Sequence, residues 1–213
     1  MSLPLSGLTV LDLTHVLAGP FCALTLADLG ARVIKVERPG SGDDTRAFPP
    51  FKDGKSGYFA AINHSKKSIA LDLKKEADRE IFDRLLARAD VLLENFRPGV
   101  LDRLGYGWTD VHAANPALVY GSVSGYGQTG PRSSWPGFGR AGEAMSGLAH
   151  MTGFADNAPM HPGFPAADST TGLMAAYGAM MALHAVHNGS ARGQVVDLAI
   201  FEPLLRLIDY HVP

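Results

Sequence analysis

The sequence predicts a doubly wound α/β domain, with a mostly parallel sheet flanked by helices on both faces and then a helical segment. Three observations predict it. Short apolar, β-branched runs recur along the chain, helical patterns separate them, and Gly or Pro closes most of them. Leu8-Thr9-Val10-Leu11-Asp12-Leu13 reads as the first strand. Gly19-Pro20 opens a helical pattern through Leu29, with Pro20 suited to a first turn and Gly30 to a stop. Arg32-Val33-Ile34-Lys35-Val36-Glu37 is the second strand, closed by Pro39-Gly40. These three elements make a βαβ unit with a parallel strand pair and a right-handed crossover.

Residues 41–67 are polar, Gly- and Pro-rich and show little periodicity. A loop of that length inside a compact domain is usually functional or mobile. Ser68-Ile69-Ala70-Leu71-Asp72-Leu73 is the third strand. Residues 75–88 form an amphipathic helix with Ala77, Ile81, Leu85 and Ala89 on one face. Asp90-Val91-Leu92-Leu93-Glu94 is the fourth strand, and a short helix follows Pro98 and stops at Gly105. Ala117-Leu118-Val119-Tyr120-Gly121-Ser122-Val123 is the fifth. Beyond the turn-rich Gly125-Tyr126-Gly127-Gln128-Thr129-Gly130-Pro131, helices are expected over 138–151 and 169–187. A strand over 194–198 leads into a last helix carrying Ile200, Leu204, Leu207, Ile208 and Val212. That apolar set is large for a free tail and implies a partner surface.

The composition narrows the function. A chain of 213 residues, 46% hydrophobic and 19% charged, can bury a real core as one large domain. A net charge of −2 gives no global basic excess, so neither nucleic acid nor an anionic membrane is an expected partner. The single cysteine, Cys22, allows no internal disulfide or cysteine cage, and sits in an apolar helical pattern as a core residue. Residues 1–7 lack the basic region and apolar run of a signal peptide. The longest apolar stretch, 173–186, is interrupted by Gly178 and reads as a buried helix, too short to span a bilayer. A cytoplasmic location fits these features. His184 and His187 fall at i,i+3 spacing but have no third ligand nearby, so no metal site is expected.

In such a sheet, ligands bind at the carboxyl ends of the strands. The first end is His15-Val16-Leu17-Ala18-Gly19-Pro20, a glycine-containing turn whose free N–H groups suit a phosphate or carboxylate. It lacks the G-x-G-x-x-G fingerprint of dinucleotide sites and is also compatible with a plain strand–helix turn. Arg38 stands at the second end, either as a phosphate partner or as a solvated charge. Lys66-Lys67 and Lys74-Lys75 read as solvated charge pairs around the third strand. At the fourth end, Asn95 is a turn or cap residue. Phe96 beside Arg97 suits either a stacked purine or a buried ring. Asp168 precedes the most apolar helix, where an N-cap contributes about 1 kcal/mol. A helix N-terminus also favours the carboxylate form, and an ionised carboxylate can act as a nucleophile.

The segments 15–20, 27–31, 33–40, 42–46, 68–73, 90–99, 121–127, 146–148, 152–154, 168–172 and 189–194 together resemble class III CoA-transferases, in order and over nearly the whole chain. That family includes formyl-CoA transferase, carnitine CoA-transferases and α-methylacyl-CoA racemase. The resemblance implies a Rossmann-like large domain that binds coenzyme A as substrate, with no tightly bound cofactor. It implies a CoA-transferase that moves CoA between an acyl-CoA and a small carboxylic acid, through an aspartyl anhydride and an aspartyl-CoA thioester on Asp168. It places CoA contacts at Val16, Ala18, Arg38, Leu71, Asp72, Leu73, Lys74, Asn95, Phe96 and Arg103.

Three departures qualify what is implied. Leu17 stands where formyl-CoA transferase has a glutamine, which points away from formyl or oxalyl specificity. Phe138 stands where the racemases place a histidine, and phenylalanine carries no proton, so racemisation is disfavoured and racemase or isomerase chemistry is only the alternative reading. Family members are about twice as long. They add a second small domain, a return segment and a glycine-rich loop over the aspartate, and they form interlocked homodimers. Residues 1–213 therefore match the large domain alone, and a non-catalytic CoA-binding subunit or fragment is the third reading.

Overall fold

The computed structural model describes residues 3–211. The chain runs β1 (Thr9–Asp12), α1 (Ala18–Asp28) and β2 (Arg32–Glu37), then a hairpin of β3 (Phe51–Lys52) and β4 (Lys55–Ser56). It continues as α2 (Gly57–Asn63), β5 (Lys67–Ala70), α3 (Glu76–Leu86), β6 (Val91–Glu94), α4 (Val100–Leu104), α5 (Trp108–Ala114) and β7 (Val119–Ser124). The last elements are α6 (Gly139–Met145), α7 (Leu148–Met151), α8 (Ala166–His187), β8 (Val195–Ala199) and α9 (Glu202–Ile208).

The main sheet has the order β5-β2-β1-β6-β7-β8, and every neighbouring pair in it is parallel. The order runs outward from β1 in one direction and from β6 in the other, which puts the topological switch point between those two strands. The interior strands β1, β6 and β7 are buried along their whole length, as expected where helices cover both faces. The edge strand β8 alternates exposed and partly buried residues. Successive strand residues feed opposite faces. Val91 and Leu93 join a core built with α1 and α8, whereas Leu92 joins one with Phe82, Leu86, Tyr106 and Val111.

The α1–α8 face is packed with small side chains. The buried stripe of α8 is Ala175, Ala176, Ala179 and Ala182, with Gly172 one turn earlier. A Cβ at Gly172 would stand 2.7 Å from the Ala18 carbonyl oxygen, so a side chain there would push the helices apart. This close approach sets the first turn of α8, which carries Asp168, against the start of α1.

Several elements differ from the sequence expectations. Residues 41–67 hold a 3₁₀ turn (Asp44–Ala47), the β3–β4 hairpin and α2. β5 ends at Ala70, because Leu71 onward turns towards the crevice. The buried face of α3 centres on Phe82 and Leu86, while Ala77 is exposed. The expected helix over 138–151 is two helices, broken at Gly147, whose φ of +92° ends the regular helix. α5 was not expected. Of the apolar set expected in the last helix, Ile200 lies in the turn before α9 and is buried, Leu204 is buried within α9 and Leu207 is exposed; Val212 lies outside the described residues. Among the described residues no helix is long and apolar enough to cross a membrane.

Candidate active site

At the switch point, the two strand ends are latched together by one side chain. The Asn95 amide accepts from the His15 N–H and donates to the His15 carbonyl, both at 2.8 Å. The next residue, Val16, has φ of +69°. A β-branched residue in that region is strained, and such strain persists only where the surroundings fix it. The Asn95 grip is one such constraint, so its side chain is already engaged before any ligand arrives.

Under this turn lies a network of buried charge. Asp12 and Lys35 are at most 1% exposed, and Lys66 reaches inward with its side chain 2% exposed. Lys66 Nζ is 2.9 Å from Asp12 Oδ2, and Lys35 Nζ is 2.9 Å from Asp43 Oδ2. Lys35 also donates to the Thr14 carbonyl at 2.7 Å. Burial alone would raise the Asp12 carboxyl, but the charges of Lys66 and Lys35 outweigh it and hold it below the usual range. The same balance, with Lys35 and Thr45 as partners, holds Asp43 down. Lys66 is therefore an interior ion, not the solvated charge its sequence context implied.

Two cavities open on the carboxyl edge, and His15 and Phe96 line both. The cavity of about 460 Å³ lies over the ends of β2 and β5 and is lined by Arg38 and by Leu71, Asp72, Leu73 and Lys74. Arg38 pairs there with Asp44 across the 39–44 turn. The cavity of about 570 Å³ lies over β1, β6 and β7 and is lined by Val16, Leu17, Ala18, Asn95 and Asp168. Of the residues the sequence singled out for CoA, Arg103 alone lines neither cavity. It lies exposed on α4, beside the Gly99 turn.

Asp168 is the third residue of α8, not its N-cap; Pro165 holds that position without a side-chain hydrogen bond. Its carboxylate rests on Gly139, where an added Cβ would fall 2.0 Å from Oδ2. Only glycine leaves room for it. Burial, reinforced by the negative charge of Glu143, pushes Asp168 up to about 6. The Tyr58 hydroxyl on α2 is raised by burial and then by the charge of Asp168. Sequence reasoning did not single out Gly139, Glu143, His161 or Tyr58. The available signal was a lone acid, Glu143, in a short helical window of mostly small residues.

A crevice at the switch point, an arginine at the second strand end and a half-buried aspartate on the crevice wall are now joined by a family match. The family model described as CoA-transferase family III matches residues 5–213.

The chain belongs to CoA-transferase family III.

Similar proteins agree with that membership. Acetyl-CoA:oxalate CoA-transferase of Acetobacter aceti is 45% identical over 208 residues, covering 97% of this chain and 53% of the relative. Succinyl-CoA:glutarate CoA-transferase of Mus musculus is 48% identical over 195 residues, covering 91% of this chain and 44% of the relative. A crystal structure of a CAIB/BAIF family protein from Brucella suis superposes with a TM-score of 0.93 at 39% identity, covering 99% of this chain and 56% of that one. The chain thus spans about half the length of the curated relatives it matches. Its doubly wound fold is the family fold.

Proposed function

We propose that this chain is the CoA-binding, nucleophile-bearing large domain of an enzyme that transfers CoA between an acyl-CoA and a carboxylic acid. The observation that carries this reading is the position of Asp168. It is a carboxylate desolvated enough to be basic, yet mostly ionised at neutral pH, on the wall of the cavity that continues into the Arg38 crevice. The pantetheine arm would pass over the edge-to-face His15–Phe96 ring pair, which lines both cavities, with the nucleotide phosphates towards Arg38 and Lys74.

The reaction runs as two exchanges. An oxygen of Asp168 attacks the thioester carbonyl, and the C–S bond breaks to release CoA thiolate and leave an acyl-aspartyl anhydride. The thiolate attacks the aspartyl carbonyl, giving an aspartyl-CoA thioester and the donor carboxylate. The acceptor carboxylate then attacks that thioester and displaces the thiolate. The thiolate takes the new acyl group and restores Asp168. No net proton is consumed, and each step replaces one good leaving group by another.

The relatives' names mention oxalate and glutarate, both dicarboxylic acids. Arg140 lines the larger cavity. The arginine ion pairs among the described residues are Arg38–Asp44, Arg46–Glu37 and Arg206–Asp209, and Arg140 is in none of them. These features support a dicarboxylic acid as acceptor, its distal carboxylate on Arg140. Leu17, an apolar wall residue, favours one longer than oxalate. Phe138, at the start of α6, offers no proton, which supports transfer over racemisation. An exposed apolar stripe on α8, Leu173, Tyr177 and Met181, supports an assembly in which further protein covers that face, as in the interlocked homodimer.

Mass spectrometry of the protein incubated with succinyl-CoA and other acyl-CoAs tests the reading. The expected result is a CoA thioester on the peptide containing Asp168. CoA binding without any adduct would instead leave a non-catalytic CoA-binding unit.

A further inference from the structure

A buried carboxylate beside Asp168 has no part in the transfer steps. Glu143, on α6, is 2% exposed. Its Oε1 accepts from the Ala166 N–H at 3.0 Å, and its Oε2 lies 2.7 Å from His161 Nδ1. Ala166 is the first residue of α8, and its N-cap, Pro165, has no capping side chain. Glu143 therefore shares, from another helix, a first-turn N–H group of α8 that also donates to the Phe164 carbonyl at 2.8 Å. Through His161 it also ties down the loop before α8. A neutral Ser or Asn at position 165 would cap the helix without placing a second acid near the nucleophile. Burying a carboxylate for capping alone is costly, which directs attention to its charge.

We propose that Glu143, held by His161, is a positioning residue for Asp168: it seats the first turn of α8 and keeps a negative charge beside the attacking carboxylate, making Asp168 a stronger nucleophile than a solvated aspartate. This inference rests on Asp168 being the nucleophile. The elevation of Asp168, caused first by burial and then by Glu143, agrees with it. Nucleophilic strength rises with basicity as long as the group stays ionised at the working pH. The other charged or titratable groups near the pair are Arg140 on α6, which lines the same cavity, the His161 imidazole against Glu143, which is cationic only when protonated, and Tyr58 on α2, whose hydroxyl feels the charge of Asp168.

A carbon-13 NMR titration of the Asp168 carboxyl in the 213-residue protein tests this without requiring turnover, with Asp168→Asn supplying the assignment. In Glu143→Gln the amide keeps an acceptor for the Ala166 N–H and a donor for His161, while the charge is lost. The expected result is a lower titration midpoint for Asp168 in a protein that still unfolds cooperatively. His161→Lys keeps Glu143 but sets a permanent cation against it, and the expected midpoint is lower. An unmoved midpoint in folded Glu143→Gln would overturn the proposal and leave Glu143 as a helix clamp. If Glu143→Gln does not fold, an unmoved or raised midpoint in His161→Lys overturns it instead. Absence of any aspartyl-CoA adduct in the unsubstituted protein would remove the transfer reading but leave the titration result standing, so the two failures are distinguishable.

Discussion

The two sides of the His15–Ala18 turn treat buried acids in opposite ways. Beneath it, Asp12 and Asp43 are each met by a lysine and held below the usual carboxylate range. Across the cavity, Asp168 meets another carboxylate and is pushed up to about 6. Paired charge builds a rigid floor under a strained turn. Uncompensated charge leaves a carboxylate that gains by forming a neutral bond. Burial follows the same division: Asp12 and Asp43 are fully buried, whereas Asp168 is half-buried on the cavity wall.

The largest effect that would break this contrast is expected at Asp168. Asp168→Ala should reduce CoA transfer by at least about 10⁴-fold, as removal of a covalent nucleophile does, while CoA still binds. Paired activity and calorimetric binding assays check this, and substantial residual turnover would return Asp168 to a structural role. Next is the floor. Lys35→Met leaves Asp12 and Asp43 with one lysine fewer and should cost about 3–5 kcal/mol in urea unfolding. Recovery of part of that loss in the double variant Lys35→Met, Asp43→Asn would show that the cost is an unpaired charge rather than lost packing.

Smaller effects sharpen the assignment of the two cavities. Arg140→Met should raise the KM for a dicarboxylic acceptor about tenfold, the size of one lost charged hydrogen bond, and leave a monocarboxylic acceptor nearly unchanged. Equal changes for both acids would mean that Arg140 does not read the distal carboxylate. Arg38→Ala should weaken CoA binding by only about three- to tenfold, because Asp44 already competes for the guanidinium and both groups are exposed. An unchanged dissociation constant would make Arg38 a solvated charge.

The smallest effect is on the pH dependence of stability. Asp168 holds its proton up to about pH 6 in the folded chain, against 3.8 for an ordinary aspartate. Between those values the folded state binds the extra proton, so stability falls as pH rises through that window. Asp12 and Asp43 act oppositely: their contribution is present above the ordinary value and is lost as pH falls below it. Asp168→Asn should therefore be more stable than the unsubstituted protein above pH 6, with the difference shrinking towards pH 4. Thermal melts across that range check it; a constant difference would mean that Asp168 is not elevated.

Much of this arrangement was legible in the sequence, and particular residues show where legibility stopped. The β1, β2 and β6 runs were readable because short segments rich in Val, Leu and Ile between turn residues have few other solutions in a parallel sheet. The span from 41 to 67 was not. Its elements are short and are held by long-range contacts such as Lys66 with Asp12, which no local pattern announces. Asp168 read first as an N-cap because a capping aspartate and a first-turn aspartate differ by only a few residues of register. The register was set elsewhere, by Gly172 packing on Ala18 and by Glu143 holding Ala166.

The sequence by itself determined the parallel α/β architecture, the strand ends that carry Val16, Arg38 and Asn95, and the family, through motifs spread along nearly the whole chain. These are local properties: periodicity, turn residues and short motifs. Only the tertiary structure decided that Asn95 spends its amide on His15, that Lys66 is an interior ion, and that Gly139 and Glu143 surround Asp168. Charge compensation and desolvation depend on distances between residues far apart in the chain. A carboxylate's reactivity follows from what packs around it, and that is fixed only when α1, α6 and α8 close on one another.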